Sequence, residues 1–173
     1  GAGKRGRAIE LDGSHVYLRL SPRIGDGRDF TFAAWVKWDG GGNWQRIFDC
    51  GNGGNQRYFY LTPSAGGNLR FTITTSGWGG EQRLNTAPLT PGRWTHVAVT
   101  ISGNTGKLFV DGNPVASSNS MTVNPSDIGT EFNYLGKSQF TADPLFDGAL
   151  DDVRFHNYAL RDGEVRNLAA SAS

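Results

Sequence analysis

The chain has a single cysteine, few charges and no long apolar run, and each scarcity removes a class of protein. Cys50 alone can form neither an internal disulfide nor a CxxC metal cluster. Charged residues make up only 19% of the 173, and they nearly cancel at +1. There is no polybasic block to grip a phosphate backbone, so no nucleic-acid partner is expected. No apolar stretch approaches the roughly 18 residues of a membrane-spanning helix, so no membrane partner is expected either. No leader is visible at Gly1, so an exported protein would be present here as a mature or excised piece. The lack of disulfides does not place the chain in the cytosol. An apolar fraction of 37% is enough for a core, which excludes wholesale disorder.

What is abundant is glycine, at 25 residues, and a hydrophobic period of two. Phe30, Phe32, Ala34, Val36 and Trp38 alternate with Thr31, Ala33, Trp35 and Lys37. The same alternation runs through Val16, Leu18 and Leu20, through Leu69, Phe71 and Ile73, and through Thr95, Val97, Val99 and Ile101. Such runs bury one strand face and turn the other to solvent or a second layer. Turn clusters separate them, among them Gly40-Gly41-Gly42-Asn43, Ala65-Gly66-Gly67-Asn68 and Asp111-Gly112-Asn113-Pro114. Many strands at this spacing predict an antiparallel sandwich or barrel. Only the C-terminus has a helical pattern, with Asp162 as its cap, Glu164 in the first turn, and Val165 and Leu168 on one face. No internal repeat or interdomain linker interrupts the chain. The expectation is one domain over residues 8–170, with residues 1–7 a linker remnant.

Four segments in order carry a resemblance: Phe30-Thr-Phe-Ala-Ala-Trp-Val-Lys-Trp38, Pro91-Gly-Arg-Trp-Thr-His-Val-Ala-Val99, Gly106-Lys-Leu-Phe-Val-Asp-Gly-Asn-Pro114 and Phe146-Asp-Gly-Ala-Leu-Asp-Asp-Val-Arg-Phe-His-Asn-Tyr-Ala-Leu160. Together they resemble the laminin G-like (concanavalin A-like) jelly roll, in the bacterial branch appended to glycoside hydrolases. Trp44-Gln-Arg-Ile-Phe-Asp49 and Gly136-Lys-Ser-Gln-Phe140 are similar to versions found beside arabinofuranosidase-type catalytic domains. The resemblance implies an all-β, two-sheet antiparallel jelly-roll sandwich with a short C-terminal helix. It also implies a secreted module covalently linked to a catalytic domain. Fold alone does not decide function, because this superfamily holds lectins, adhesion modules, lyases and glucanases.

Glucanases of the superfamily set alternate carboxylates on one strand, because glycoside hydrolysis needs two at a controlled separation. Glu10-Leu11-Asp12 is the only Glu-x-Asp pair here, and no further glutamate follows at the required spacing. Asp151 and Asp152 are adjacent and would face opposite ways on a strand. His15, His96 and His156 lie in separate segments, with His96 read as a packing or hydrogen-bonding residue. The expectation is therefore not an enzyme.

For a metal, the resemblance implies a structural calcium between the first and last strands, with Asp151 as chief ligand and Asp12 or Gly13 as partner. In an unbroken alternation Asp151 would share the core face of Val153 and Phe155, where a carboxylate needs a cation or several donors. A carboxylate held by backbone amides or an arginine is the alternative.

Sugar binding calls for aromatic platforms and planar polar groups. Trp78, in Gly77-Trp78-Gly79-Gly80, is the candidate exposed ring, with Glu81, Gln82 and Arg83 following. Tyr58 and Tyr60 alternate with Phe59 and Leu61 and so share an outer or concave face, Arg46 and Asp49 flank Ile47-Phe48, and Gln139 lies in a loop. Arg46, Asp49 and Arg83 read equally as solvent-facing charge or an internal ion pair. Trp35, Trp38 and Trp94 sit inside strand patterns and read as structural, while Trp44 stays open. The expected function is a monomeric, non-catalytic carbohydrate-binding module for plant cell-wall polysaccharide or oligosaccharide, with arabinose-containing glycans favoured by resemblance. A protein-interaction or purely structural module is the alternative.

Overall fold

A computed structural model describes residues 3–4 and 6–170. Two antiparallel sheets of six strands form a sandwich. In spatial order, the first contains β1 (Ile9–Asp12), β12 (Asp147–His156), β3 (Phe30–Trp38), β8 (Trp94–Ser102), β9 (Thr105–Val110) and β10 (Asn113–Ser118). The second contains β2 (Leu18–Leu20), β11 (Phe132–Leu135), β4 (Phe48–Gly51), β5 (Tyr58–Thr62), β6 (Leu69–Thr74) and β7 (Gln82–Thr86). One helix, α1 (Asp162–Ala170), closes the fold.

The period of two explains the core. Phe30, Phe32, Ala34 and Val36 of β3 meet Phe48, Phe59, Leu61 and Phe71 of the second sheet in one buried cluster. The rings of Phe32 and Phe48 are 4.4 Å apart, so the two sheets interlock directly. The alternate residues of β3 are buried too, because the outer face of the first sheet is roofed. Ala33, Ala98 and Phe109 pack against Val165, with Leu160 and Leu168 at the margin. The predicted apolar face of α1 is therefore correct, but its cap differs. Glu164 accepts the Arg161 N–H at 3.1 Å, while the Asp162 carboxylate pairs with Lys107 at 3.0 Å.

The linker expectation falls partly on Gly1, Ala2 and Arg5, which lie outside the described residues. Lys4, within the same stretch, places its ammonium 5.0 Å from the Trp35 ring.

One irregularity in β12 decides a site expectation. Asp151 pairs with Trp35, but Arg154 pairs with Ala33, so three steps on β12 oppose two on β3. Asp152 takes up the extra residue with φ of 50°. Leu150 and Phe155 both face the core, opposite Val36 and Phe32, and Asp151 faces outward beside Trp35. The unbroken alternation assumed for Asp151, Val153 and Phe155 does not exist.

His96, paired with Trp35 on the same outer face, is fully buried, and neither ring nitrogen has a hydrogen-bond partner among the described residues. Burial pushes its imidazole down from the ordinary 6.5 to about 4, against opposing pulls from Asp152 and Asp111. An unfolded chain then takes up the proton first as pH falls. The stabilising contribution is intact above about pH 6.5 and is lost toward pH 4, on the order of 3 kcal/mol in total. We expect a His96→Phe variant to lose less stability than the parent between pH 7 and 4.5, measured as urea midpoints. Parallel losses would contradict this assignment.

Candidate functional site

The outer face of the second sheet carries the most distinctive chemistry. Strand register lays Arg19, Tyr134, Asp49, Tyr60, Thr72 and Arg83 in one row across its six strands. Tyr58 lies on the same face, while Phe59 and Leu61 between and beside the tyrosines enter the core. Three loops rise over this face and enclose a cavity of about 260 Å³, lined by Trp44, Arg46, Tyr60, Trp78, Glu81, Phe140, Ala142 and Asp143.

Its floor is an ion-pair network. Arg46 is fully buried, and its guanidinium lies over the Tyr60 ring at 3.7 Å. Its Nε donates to Asp49 at 3.1 Å, Nη2 to Asp143 at 2.9 Å and Nη1 to the Trp44 carbonyl at 2.7 Å. Ser138 also donates to Asp143, at 2.8 Å. Burial drives the Asp49 carboxyl upward in pKa, while Arg46 and the Gln139 N–H pull it back. Five donors in a rigid fork let one arginine fasten the strand and two loops at once.

The walls are aromatic. Trp78 occupies a short 3-10 turn (Trp78–Gly80) entered through Gly77 at φ of 73°, and it is 59% exposed. Trp44 meets it edge-on with centroids 5.7 Å apart, and Arg83 lies 4.5 Å from its centroid. Arg83 also donates to Glu81 at 2.8 Å, and Glu81 accepts the Tyr58 hydroxyl as well. Burial and that Glu81 bond push the Tyr58 phenol well above its usual range. Phe140 packs edge-on against Tyr58 at 5.4 Å.

Trp44 is held by its neighbours. Gln45 accepts the Trp38 indole N–H at 3.1 Å and the Asp147 N–H at 2.9 Å, which pins the glycine loop to the first sheet. Trp44 itself has φ of 72°, a left-handed conformation rare for a bulky residue. We expect Trp44→Gly to be more stable than Trp44→Ala by about 1 kcal/mol, because only the alanine keeps the Cβ clash. Thermal melts of the two variants check this, and a more stable alanine variant would contradict the strain.

Of the predicted binding residues, Trp78 and Arg46 line the cavity, and Arg83 braces Trp78 and Glu81. Asp49 is fully buried beneath Arg46, and Tyr58 backs Phe140 and Glu81. Gln82 belongs elsewhere: opposite Ile73, its amide bonds Thr122 at 2.8 Å and the Val123 N–H at 3.0 Å. Gln139 is likewise spent on the Phe132 carbonyl and the Gly53 N–H. Glu81, expected beside Trp78, and Tyr60, expected on the outer face, also line the cavity, whereas sequence reasoning missed Phe140, Ala142 and Asp143. A larger hollow of about 410 Å³, lined by Thr100, Lys107, Leu160 and Asp162 among others, has no aromatic ring.

The metal residues do not assemble. Asp12 pairs with Asp147 and Ile9 with Leu150, so Asp151 lies four residues beyond the partner of Asp12. At a rise of about 3.3 Å per residue that is roughly 13 Å, too far for one ion to bridge. The Asp12 carboxylate instead accepts N–H groups from Ser14, His15 and Val16, which hold it well below the usual carboxylate range. Asp151 accepts the Asp152 N–H at 2.8 Å on the outer face. Asp151, Asp12 and Gly13 thus do not fit one calcium. No group of three or more His, Cys, Asp or Glu side chains poised for a metal occurs among the described residues.

A family description, the concanavalin A-like lectin/glucanases superfamily, matches residues 12–166, and the chain belongs to that superfamily. An alpha-L-arabinofuranosidase of Bifidobacterium longum subsp. longum is 22% identical over 169 residues, covering 88% of this chain. The chain spans only 16% of that enzyme's length. Domain 4 of AbnA, a GH43 extracellular arabinanase from Geobacillus stearothermophilus solved in complex with arabinotriose, superposes with a TM-score of 0.83 at 24% identity. That likeness covers 98% of this chain and 79% of the other. The CBM40 of a Ruminococcus gnavus IT-sialidase, bound to alpha2,3 sialyllactose, gives 0.78 at 21% identity, covering 95% and 96%. These structural likenesses establish the fold. Among the described residues, no helix is long and apolar enough to cross a membrane.

Proposed function

We propose that this chain is a non-catalytic carbohydrate-binding module of a larger secreted glycoside hydrolase. The observation that carries the reading is the cavity of Trp44, Trp78, Tyr60 and Phe140 over the Arg46–Asp143 floor. Aromatic faces take the apolar faces of a sugar ring, and the charged groups at the base supply fixed donors and acceptors for its hydroxyls. About 260 Å³ is just below the usual range for ligand pockets, a size for one sugar ring rather than a long chain segment. Arabinose-containing polysaccharide is the proposed ligand, supported by the arabinofuranosidase relative and the arabinotriose-bound neighbour. Tethered in this way, a linked catalytic domain would work at raised local substrate concentration.

Two carboxylates do line the cavity, but their partners disfavour catalysis. Glu81 accepts from Tyr58 and Arg83, and Asp143 from Arg46 and Ser138. A glycosidase needs a pair of carboxylates free to act on the glycosidic bond, whereas each of these is already engaged by an arginine and a hydroxyl. Affinity electrophoresis against arabinan, arabinogalactan, xylan, fructan and galactan tests the proposal. Retardation by an arabinose-containing polymer is expected, and no retardation by any of the five would overturn it.

A further inference from the structure

On the same outer face, the segment 137–143 contributes to two groups of rings. Through Phe140 it lines the cavity described above. Through Lys137 it meets a second group, Tyr17, Tyr134 and Phe132, with two cations over their rings. Tyr17 is 43% exposed and meets Tyr134 edge-on at 5.7 Å. The Lys137 ammonium sits 5.1 Å from the Tyr134 centroid and 5.7 Å from that of Tyr17. The exposed Arg19 guanidinium sits 5.0 Å from the Phe132 ring. Among the described residues neither cation has a carboxylate partner, although Lys137 also donates to the Ser138 carbonyl at 3.1 Å. Three rings and two unneutralised cations on one patch exceed what packing at a sheet edge requires, since β2 is the edge strand.

We propose that this patch is a second glycan subsite, selective for sugars that carry a carboxylate, that is, uronic acids. The tyrosine rings offer platforms for the sugar, and Lys137 and Arg19 offer charge-assisted bonds to its carboxylate. Tyr134 lies two strands from Tyr60 along the register row, about 10 Å, so one glycan of a few residues can reach both sites. The inference rests on the reading of this sheet face as glycan-binding, but its charge requirement is its own.

The test is affinity electrophoresis of the whole chain in gels containing polygalacturonate, its carboxyl-reduced form, or dextran sulfate. Retardation by polygalacturonate alone is expected, weakened at least tenfold in an Arg19→Gln/Lys137→Gln variant and in Tyr17→Ala. Retardation of the parent by the neutral arabinose-containing polymers, run in parallel gels, tests the first cavity separately. No retardation by polygalacturonate, equal retardation by its carboxyl-reduced form, or equal retardation by dextran sulfate would each overturn the proposal. Tyr17→Ala leaves net charge untouched, so loss in the charge variant alone would also count against a sugar platform.

Discussion

Trp78→Ala should abolish measurable retention on the neutral arabinose-containing polysaccharide proposed for the cavity while leaving the fold intact. The indole is 59% exposed, so its removal uncovers little core, and the stability change should stay within about 0.5 kcal/mol. Its contacts with Trp44 and Arg83 are edge and cation contacts at the surface. The lost free energy of a ring stacked on a sugar is larger, about 2 kcal/mol, or roughly thirtyfold in affinity. For a weak single-site module that shift takes binding out of the observable range. Affinity electrophoresis and urea midpoints on the same preparation separate the two effects. Unchanged retention would remove Trp78 from the site, and with it most of the case for this cavity.

Arg46→Met should have the largest effect on stability. The guanidinium is buried over Tyr60 and is the charged donor to Asp49, whose Oδ1 already has no partner among the described residues. Removing it leaves a buried carboxylate that keeps the Gln139 N–H but loses its cation. Breaking a buried pair in this way costs about 3–5 kcal/mol, far more than the net worth of the pair itself. The pH dependence has a definite sign. Without Arg46 the Asp49 carboxyl has a folded pKa raised further by burial, so the protonated form is the tolerated one. The variant should be least destabilised near pH 4 and increasingly so as pH rises toward 8. Denaturant midpoints at pH 5 and pH 8 check this, and a loss independent of pH would exclude Asp49 as the cause. Arg46→Met/Asp49→Leu should regain much of the stability, because it replaces both partners by apolar groups. It should not regain sugar binding, since Asp143 and the Trp44 carbonyl keep no substitute for their donor.

How much of this was legible beforehand varied with the range of the interaction. Alternation at Phe30, Phe32, Ala34 and Val36 announced the buried face of β3, and the structure places all four in the core. Trp78 could be singled out because glycines on both sides offer no packing to bury an indole, and it is indeed the most exposed large apolar side chain described. Tyr58 shares the outward parity of β5 for the same local reason. Gln82 and Gln139 looked equally available, but the Gln82 amide is consumed by Thr122, 40 residues away, and that of Gln139 by the Gly53 N–H, 86 residues away, and the Phe132 carbonyl of β11. Asp151 failed differently. Nothing in Leu150-Asp151-Asp152-Val153 forces a bulge, yet Asp152 adopts a positive φ and turns Asp151 away from the core.

The sequence by itself determined the all-β class, the inward faces of β3, β6 and β8, the helical tail and the exposed tryptophan, because each depends on the spacing of neighbouring residues. The tertiary structure alone decided which polar groups meet. Arg46 reaches Asp143 across 97 residues, Trp44 stands against Trp78, and Asp12 and Asp151 end up on one sheet but out of reach. Those pairings follow from strand order and register. A single inserted residue changes register and reverses every side chain beyond it, so no local pattern could have specified them.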